Sequence, residues 1–307
     1  MIERRLDIPT LGVAIALYAG FLALTWFYNQ LPWWVILPLG GLLLAWWGSF
    51  QHETIHGRPT RSRRINTLLA SPPLALWLPY EVYRDTHLRH HRYGGRYLTD
   101  PLRDTESFYR TPGYLCNAGT VRRALYAANC TLAGRLVFGP LLGARNLWVS
   151  EWRRIRAGDR SRLLLWSGHF LAIALLLVWL VGVCKIPLWS YVLLVVYPGS
   201  SLTQLRSFIE HRAGGDPRSR TAVVEAHPLW ALIFLNNNLH IVHHAHPRLP
   251  WHRLPGVWRQ MRDTSPGARA IADGLVFEGG YFQIVRKYLF TPAIPIEHPY
   301  AADAGIP

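Results

Sequence analysis

Four long runs without a charged residue constrain this chain more than any other feature. Residues 8–28, 32–50, 163–183 and 186–205 contain no Asp, Glu, Lys or Arg. At a rise of about 1.5 Å per residue, a helix of ~20 residues reaches about 30 Å, the thickness of the bilayer hydrocarbon. Lipid offers no partner to a backbone N–H or C=O, so such a run must satisfy its own hydrogen bonds as a helix. Only Asn29-Gln30-Leu31 separates the first two runs, and only Cys184-Lys185 the last two. Each pair therefore reads as a hairpin. The expectation is an all-α integral membrane protein, a single domain over residues 1–307 with four transmembrane helices in two hairpins. Residues 66–80 are apolar but broken by Pro72-Pro73, and read as a partial or interfacial segment. Residues 131–148 and 280–290 read as amphipathic helices lying on the membrane surface. The first run is too long for a signal-peptide core and follows the charged Met1-Ile-Glu-Arg-Arg, so it is expected to be retained. The tail from Pro292 is rich in Pro and Ala and is expected to be loosely ordered.

Charge gives the orientation. Lys and Arg number 33 against 18 acidic residues, a net charge of +15, and of the 33 only Lys185 falls in a short turn between two apolar runs. Basic residues gather on the cytoplasmic side of membrane proteins. Both termini and residues 51–162 and 206–307 are accordingly expected in the cytoplasm, forming a helical cap below the membrane. The bilayer is then the partner that the positive charge serves, and Arg58, Arg61, Arg63 and Arg64 read as contacts to anionic headgroups. No nucleic-acid-binding motif is present. The three cysteines, Cys116, Cys130 and Cys184, have no C-x-x-C spacing and read as ordinary thiols.

Histidine carries the chemistry. Of the 14 histidines, His52 and His56 stand four apart at the end of the second run. His87, His90 and His91 occupy i, i+3 and i+4, and His240, His243 and His244 repeat that spacing. On a helix these positions project from one face, so each cluster aims its imidazoles at one place. His211 follows the fourth run by six residues. All nine fall on the expected cytoplasmic side and can converge there. Neutral imidazole suits Zn, Cu, Fe and Ni, and nine ligands exceed what one ion takes but suit two. Spacing alone does not select the metal. Metal-bound histidines pass their other N–H to an acceptor, for which Glu53, Asp85, Asp100, Asp104, Glu210 and Asn236 are candidates. His169 lies within the third run and reads as a hydrogen-bonded packing residue; His227, His246, His252 and His298 read as surface or capping groups.

His52-Glu-Thr-Ile-His56, His87-Leu-Arg-His90-His91 and His240-Ile-Val-His243-His244 resemble the three histidine boxes of the membrane fatty acid desaturase superfamily. The resemblance covers residues from about 8 to 255. It implies two iron ions held by the eight box histidines, with His211 matching a further ligand after the fourth span. It also implies dioxygen as co-substrate, a lipid-like substrate, and a separate electron donor of ferredoxin or cytochrome type. Acyl-CoA desaturases carry an asparagine four residues before that further ligand; here the position is Ser207, which sets this chain apart from them. The expected reaction is introduction of a double bond into a fatty acyl chain. Hydroxylation or ketolation of a lipid, carotenoid, alkane or small amphiphilic metabolite is the alternative. His52-Glu53-x-x-His56 also matches the H-E-x-x-H motif of zinc proteases, a remote reading that gives no role to the two H-x-x-H-H clusters.

Overall fold

The computed structural model describes residues 6–92, 96–216 and 219–299. The expectation for Met1–Arg5 and the end of the tail lies outside them. The described chain is mostly helical and divides into two compact units, residues 1–84 with 140–203 and residues 85–139 with 204–307.

The first unit contains the apolar helices. α1 (Ile8–Trp26) and α2 (Trp33–Ile55) are joined by a single 3₁₀ turn, Tyr28–Gln30. Pro9 lies in the first turn of α1 and Pro32 caps α2, positions where a missing N–H costs no helical bond. α7 (Arg160–Leu177) follows α6 (Leu132–Arg156), starts at an Asp159 cap and continues as a π-wound stretch to Val183. The chain reverses at Lys185, whose φ of 56° lies in the left-handed region. The turns of the two hairpins are tied together: Asn29 Nδ2 donates to the Cys184 carbonyl at 2.8 Å, and the Tyr28 and Ser190 hydroxyls are 2.8 Å apart.

Among the described residues, three helices are long and apolar enough to cross a membrane: Ile8–Trp26, Trp33–Ile55 and Arg160–Val183. The fourth run does not form one plain α-helix. It is built as α8 (Leu188–Tyr191), a π-wound segment Val192–Val196, and α9 (Tyr197–Ser207). Pro198 accounts for the interruption, since it has no N–H to give the Leu194 carbonyl and the coil widens ahead of it. That segment packs closely on α2. A Cβ at Gly40 would stand 2.8 Å from Val195 Cγ2, and one at Gly199 would overlap the Leu44 side chain. Gly199→Ala is therefore expected to destabilise the protein by about 1–3 kcal/mol through overpacking, read as a lowered thermal midpoint of the detergent-solubilised protein. An unchanged midpoint would show that the contact is easily relieved.

Residues 66–80 do not form one continuous helix. α3 (Arg63–Ala70) ends, and an irregular segment runs through the two prolines with Leu76 at φ 67°. Its carbonyls are held by side chains of the apolar helices: Tyr191 Oη donates to Leu74 O at 2.7 Å, and His169 Nε2 lies 2.8 Å from Leu76 O. His169 is thus the hydrogen-bonded packing residue its position implied.

The second unit holds α5 (Thr120–Asn129), α10 (Pro228–Ile233), α11 (His240–Ala245), α12 (Leu254–Arg262), α13 (Ser265–Ala272) and α14 (Gly280–Tyr288). α4 (Tyr80–His90) ends in it. Two short strands, β1 (Val223–Val224) and β2 (Val276–Phe277), pair in parallel, and the connection between them carries α10 to α13. Val223, Leu239, Val242, Leu254 and Trp258 pack into one core that seats α11. The expected helices at 131–148 and 280–290 appear as α6 and α14.

The tail departs from expectation. Residues 292–299 are packed, not loose: Ile294 is buried with Tyr109 and Cys130, and Arg110 N donates to Ile296 O at 2.8 Å while His298 N donates back to Arg110 O at 2.9 Å. Apolar Ile294 and Ile296 supply the burial that the Pro and Ala content concealed. His298 is buried as well, and is not the surface group expected. His227 does cap a helix, accepting from Leu229 N.

Candidate metal centre

Seven of the nine candidate histidines belong to the second unit. His87 and His90 lie on the last turns of α4, and His91 follows directly; His240, His243 and His244 all lie on α11. The start of α11 is fixed by Asn238, whose side chain donates to Val224 O at 2.7 Å and whose carbonyl accepts from Val224 N at 2.9 Å. His211 sits beyond α9 in a segment bridged to Thr221, where Ala222 N donates to Glu210 O at 2.9 Å. β1 and the residues before it thus fix both His211 and the first turn of α11.

Two groups of imidazoles result. His90, His211, His240 and His244 bring one ring nitrogen each within 4.8 Å of one another, and His87, His91 and His243 do the same. In the first group Nε2 of His211 lies 3.0 Å from those of His90 and His240, and His244 Nε2 lies 3.2 Å from His240 Nε2. In the second, His91 Nε2 lies 3.1 Å from the Nε2 atoms of both His87 and His243. The groups adjoin where the His91 and His244 rings stack with centroids 4.3 Å apart.

The opposite ring nitrogens decide what the converging ones carry. His90 Nδ1 lies 2.7 Å from Asp104 Oδ1, His87 Nδ1 3.0 Å from Glu106 Oε1, His240 Nδ1 3.2 Å from Asn237 Oδ1, and His211 Nδ1 3.3 Å from Arg220 O. Each of these oxygens accepts, so the neutral imidazole keeps its proton on Nδ1 and turns a bare lone pair inward. Lone pairs 3.0–3.2 Å apart repel unless a cation lies between them. Donors at right angles on bonds of about 2.1 Å stand roughly 3.0 Å apart, so the spacing fits imidazoles sharing one metal ion. The donor set therefore fits metal binding at both groups.

Charge around the groups favours the same occupant. Burial, followed by the neighbouring basic groups, holds His87, His240 and His244 well below the usual imidazole range. Burial and then His90 lower His211 to about 3. Burial alone would lower His90 too, but Glu106, Asp104 and Glu210 outweigh it and raise it to about 9. Glu210 is pushed up to about 6 by burial, against the pull of Arg206 at 3.4 Å. Most of these imidazoles are thus held neutral, as a metal ligand must be, and are set among carboxylates that a cation would balance.

In the first unit, α2 continues past its apolar run, so that His52 lies in its last turn and His56 caps it, with ring centroids 4.8 Å apart. Glu53 lies 3.7 Å from His52 Nδ1. Of the other candidate partners, Asp104 holds His90, and Glu210 approaches His240 Nδ1 at 3.7 Å. Asp100 instead accepts from Leu102 N at 2.8 Å in a loop turn. Asn236, at φ 54°, donates to Trp251 O at 3.1 Å. Asp85 lies on α4, but the carboxylates on Nδ1 of its neighbours His87 and His90 are those of Glu106 and Asp104. Glu106, Asn237 and the Arg220 carbonyl escaped the sequence reading. The only available signal for the first two was that each stands beside a residue already singled out, Glu106 near Asp104 and Asn237 next to Asn236.

The model of one family, Fatty acid desaturase, matches residues 29–272, well over half of the chain. No curated protein matches it. Two histidine groups able to hold metal, three apolar helices of spanning length and this match lead to one conclusion: the chain belongs to the membrane fatty acid desaturase superfamily, a family of lipid-modifying oxidoreductases.

Proposed function

We propose that this protein is an oxygen-dependent di-iron oxidoreductase that introduces a double bond into a fatty acyl chain or a related lipid-like substrate. The observation that carries the proposal is the pair of adjoining imidazole groups, whose inner lone pairs are bare because their outer nitrogens face Asp104, Glu106, Asn237 and the Arg220 carbonyl. One metal would be held by His90, His211, His240 and His244. The other would be held by His87, His91 and His243 together with His52 and His56, which the order of the family's boxes assigns to the same centre. Iron is chosen over zinc or copper on the family's chemistry. A fourth span over residues 186–205, both termini in the cytoplasm and a cytoplasmic metal centre complete the reading, supported by the uncharged run and by the distribution of basic residues.

Bound at these sites, a pair of irons supplies activation of dioxygen for oxidation of an unactivated C–H bond. The protein supplies position and charge. Asp104 and Glu106 fix the tautomer and ring plane of His90 and His87, and strengthen them as donors. Burial keeps His211, His240 and His244 neutral, so these three need lose no proton before they bind, whereas His90, raised to about 9 by its carboxylate neighbours, gives one up to a bound cation. The overall balance takes one dioxygen, two hydrogens from the substrate, and two electrons with two protons, giving the alkene and two waters. The electrons would come from a separate ferredoxin- or cytochrome-type donor.

The test is expression in a host with a suitable reductase, followed by metal analysis of the purified protein and mass spectrometry of lipids and metabolites. About two irons per chain and a product short of two hydrogens are expected. A product that gains one oxygen atom would replace the desaturase by a hydroxylase. One zinc with no iron would overturn the oxygenase and favour a protease built on His52-Glu53-x-x-His56.

A further inference from the structure

We propose that the C-terminal segment Ile294–His298, which lies beyond the residues matched by the family, is a strap that positions the outer partners of the four-histidine group, with His298 as its positioning residue. This rests on the metal-centre reading above.

The loop carrying Asp104 is held from several sides. Asp104 Oδ1 meets His90 Nδ1 at 2.7 Å and accepts from Glu106 N at 2.9 Å, and its Oδ2 accepts from Thr99 N at 2.9 Å. Thr99 has φ 73°, a conformation a β-branched residue adopts only when its surroundings impose it. Two contacts impose it. Ser107 Oγ donates to Thr99 O at 2.6 Å, and the Thr99 hydroxyl lies 3.0 Å from His298 Nε2.

The other side of His298 reaches a second ligand. Its ring packs edge-on against Tyr109, with centroids 5.0 Å apart, and Tyr109 Oη accepts from Ala213 N at 2.8 Å, two residues beyond His211. His298 thus stands between the routes to two ligands of the same group, Thr99–Asp104–His90 and Tyr109–Ala213–His211. The strap is itself fixed. Its backbone exchanges hydrogen bonds with Arg110 at both Ile296 and His298, Glu297 accepts from Gly113 N and Leu115 N, and Ile294 is buried beside Tyr109. The second histidine group takes its carboxylate from Glu106, one bond further from the strap, so the effect falls mainly on the first.

The experiment measures release of the two metals from full-length protein to a chelator. Wild-type protein is compared with His298→Ala and with His298→Gln, whose amide can still meet the Thr99 hydroxyl. Loss of an outer partner weakens metal binding by roughly 10–100-fold. His298→Ala is expected to release one metal about tenfold faster, in line with the low end of that range, and to leave the other rate unchanged; His298→Gln should restore much of the difference. Equal acceleration of both metals, or none, overturns the strap while leaving the metal centre intact. A wild-type protein that binds no metal overturns both. Should His298→Ala fail to fold, Tyr109→Phe removes a single hydroxyl on the same route, and absence of selective acceleration there overturns the proposal.

Discussion

Replacing His90 with alanine is expected to abolish oxidised product and to lower bound metal from about two ions per chain to about one. His90 supplies an inner nitrogen 3.0 Å from that of His211, and its Nδ1–H donates to Asp104. Its removal takes one donor from a group of four and leaves the Asp104 carboxylate, buried and charged, without its imidazole. Outer-partner losses alone cost roughly 10–100-fold, so loss of a ligand should cut activity by more than about 100-fold. The control is His252→Ala, an exposed histidine outside both groups, for which stability should change by no more than about 0.5 kcal/mol. Product measured by mass spectrometry beside metal content decides the matter. Retained metal together with retained product in His90→Ala would remove His90 from the centre.

The two imidazole groups that could hold metal were legible in the sequence because helical geometry is periodic. Spacings of i, i+3 and i+4 put three imidazoles on one face of a helix wherever that helix sits, and α4 and α11 obey this. Three helices of spanning length were legible for a similar reason, since an uncharged run of that length has few ways to fold in lipid. What escaped was set by packing between distant segments. Pro198 was visible, but not the widened coil ahead of it that settles against Gly40. Glu106 reaches His87 across 19 residues, and Asp104 reaches His90 across 14, through a loop whose path depends on Thr99 in a left-handed conformation. No periodicity encodes such a loop. The tail misled for the opposite reason. Its prolines suggested a loose end, whereas proline removes donors without preventing an extended segment from packing, and the donors at Ile296's partner Arg110 and at His298 remain.

The second large effect is expected at Asp104. Asp104→Asn preserves shape and removes one acceptor. The carboxylate takes three N–H groups: that of His90 and Glu106 on one oxygen, and Thr99 on the other. An amide has one oxygen and one NH₂. Whichever way it turns, the NH₂ faces an N–H. If it faces Thr99, a buried backbone donor loses its partner, and the loop is expected to lose about 1–3 kcal/mol of stability. If it faces His90, the imidazole must move its proton to Nε2, where the lone pair was needed for the metal. Either orientation weakens the four-histidine group, by roughly 10–100-fold in metal affinity. Each orientation strands a backbone N–H, that of Thr99 or that of Glu106, so the thermal midpoint of the metal-free protein is expected to fall in either case. Asp100→Asn, in the same loop but turned to Leu102 N, should leave metal affinity unchanged. Equal metal release by wild type and Asp104→Asn would mean that the short contact to His90 does not set its tautomer, and the assignment of bare inner lone pairs would fall with it.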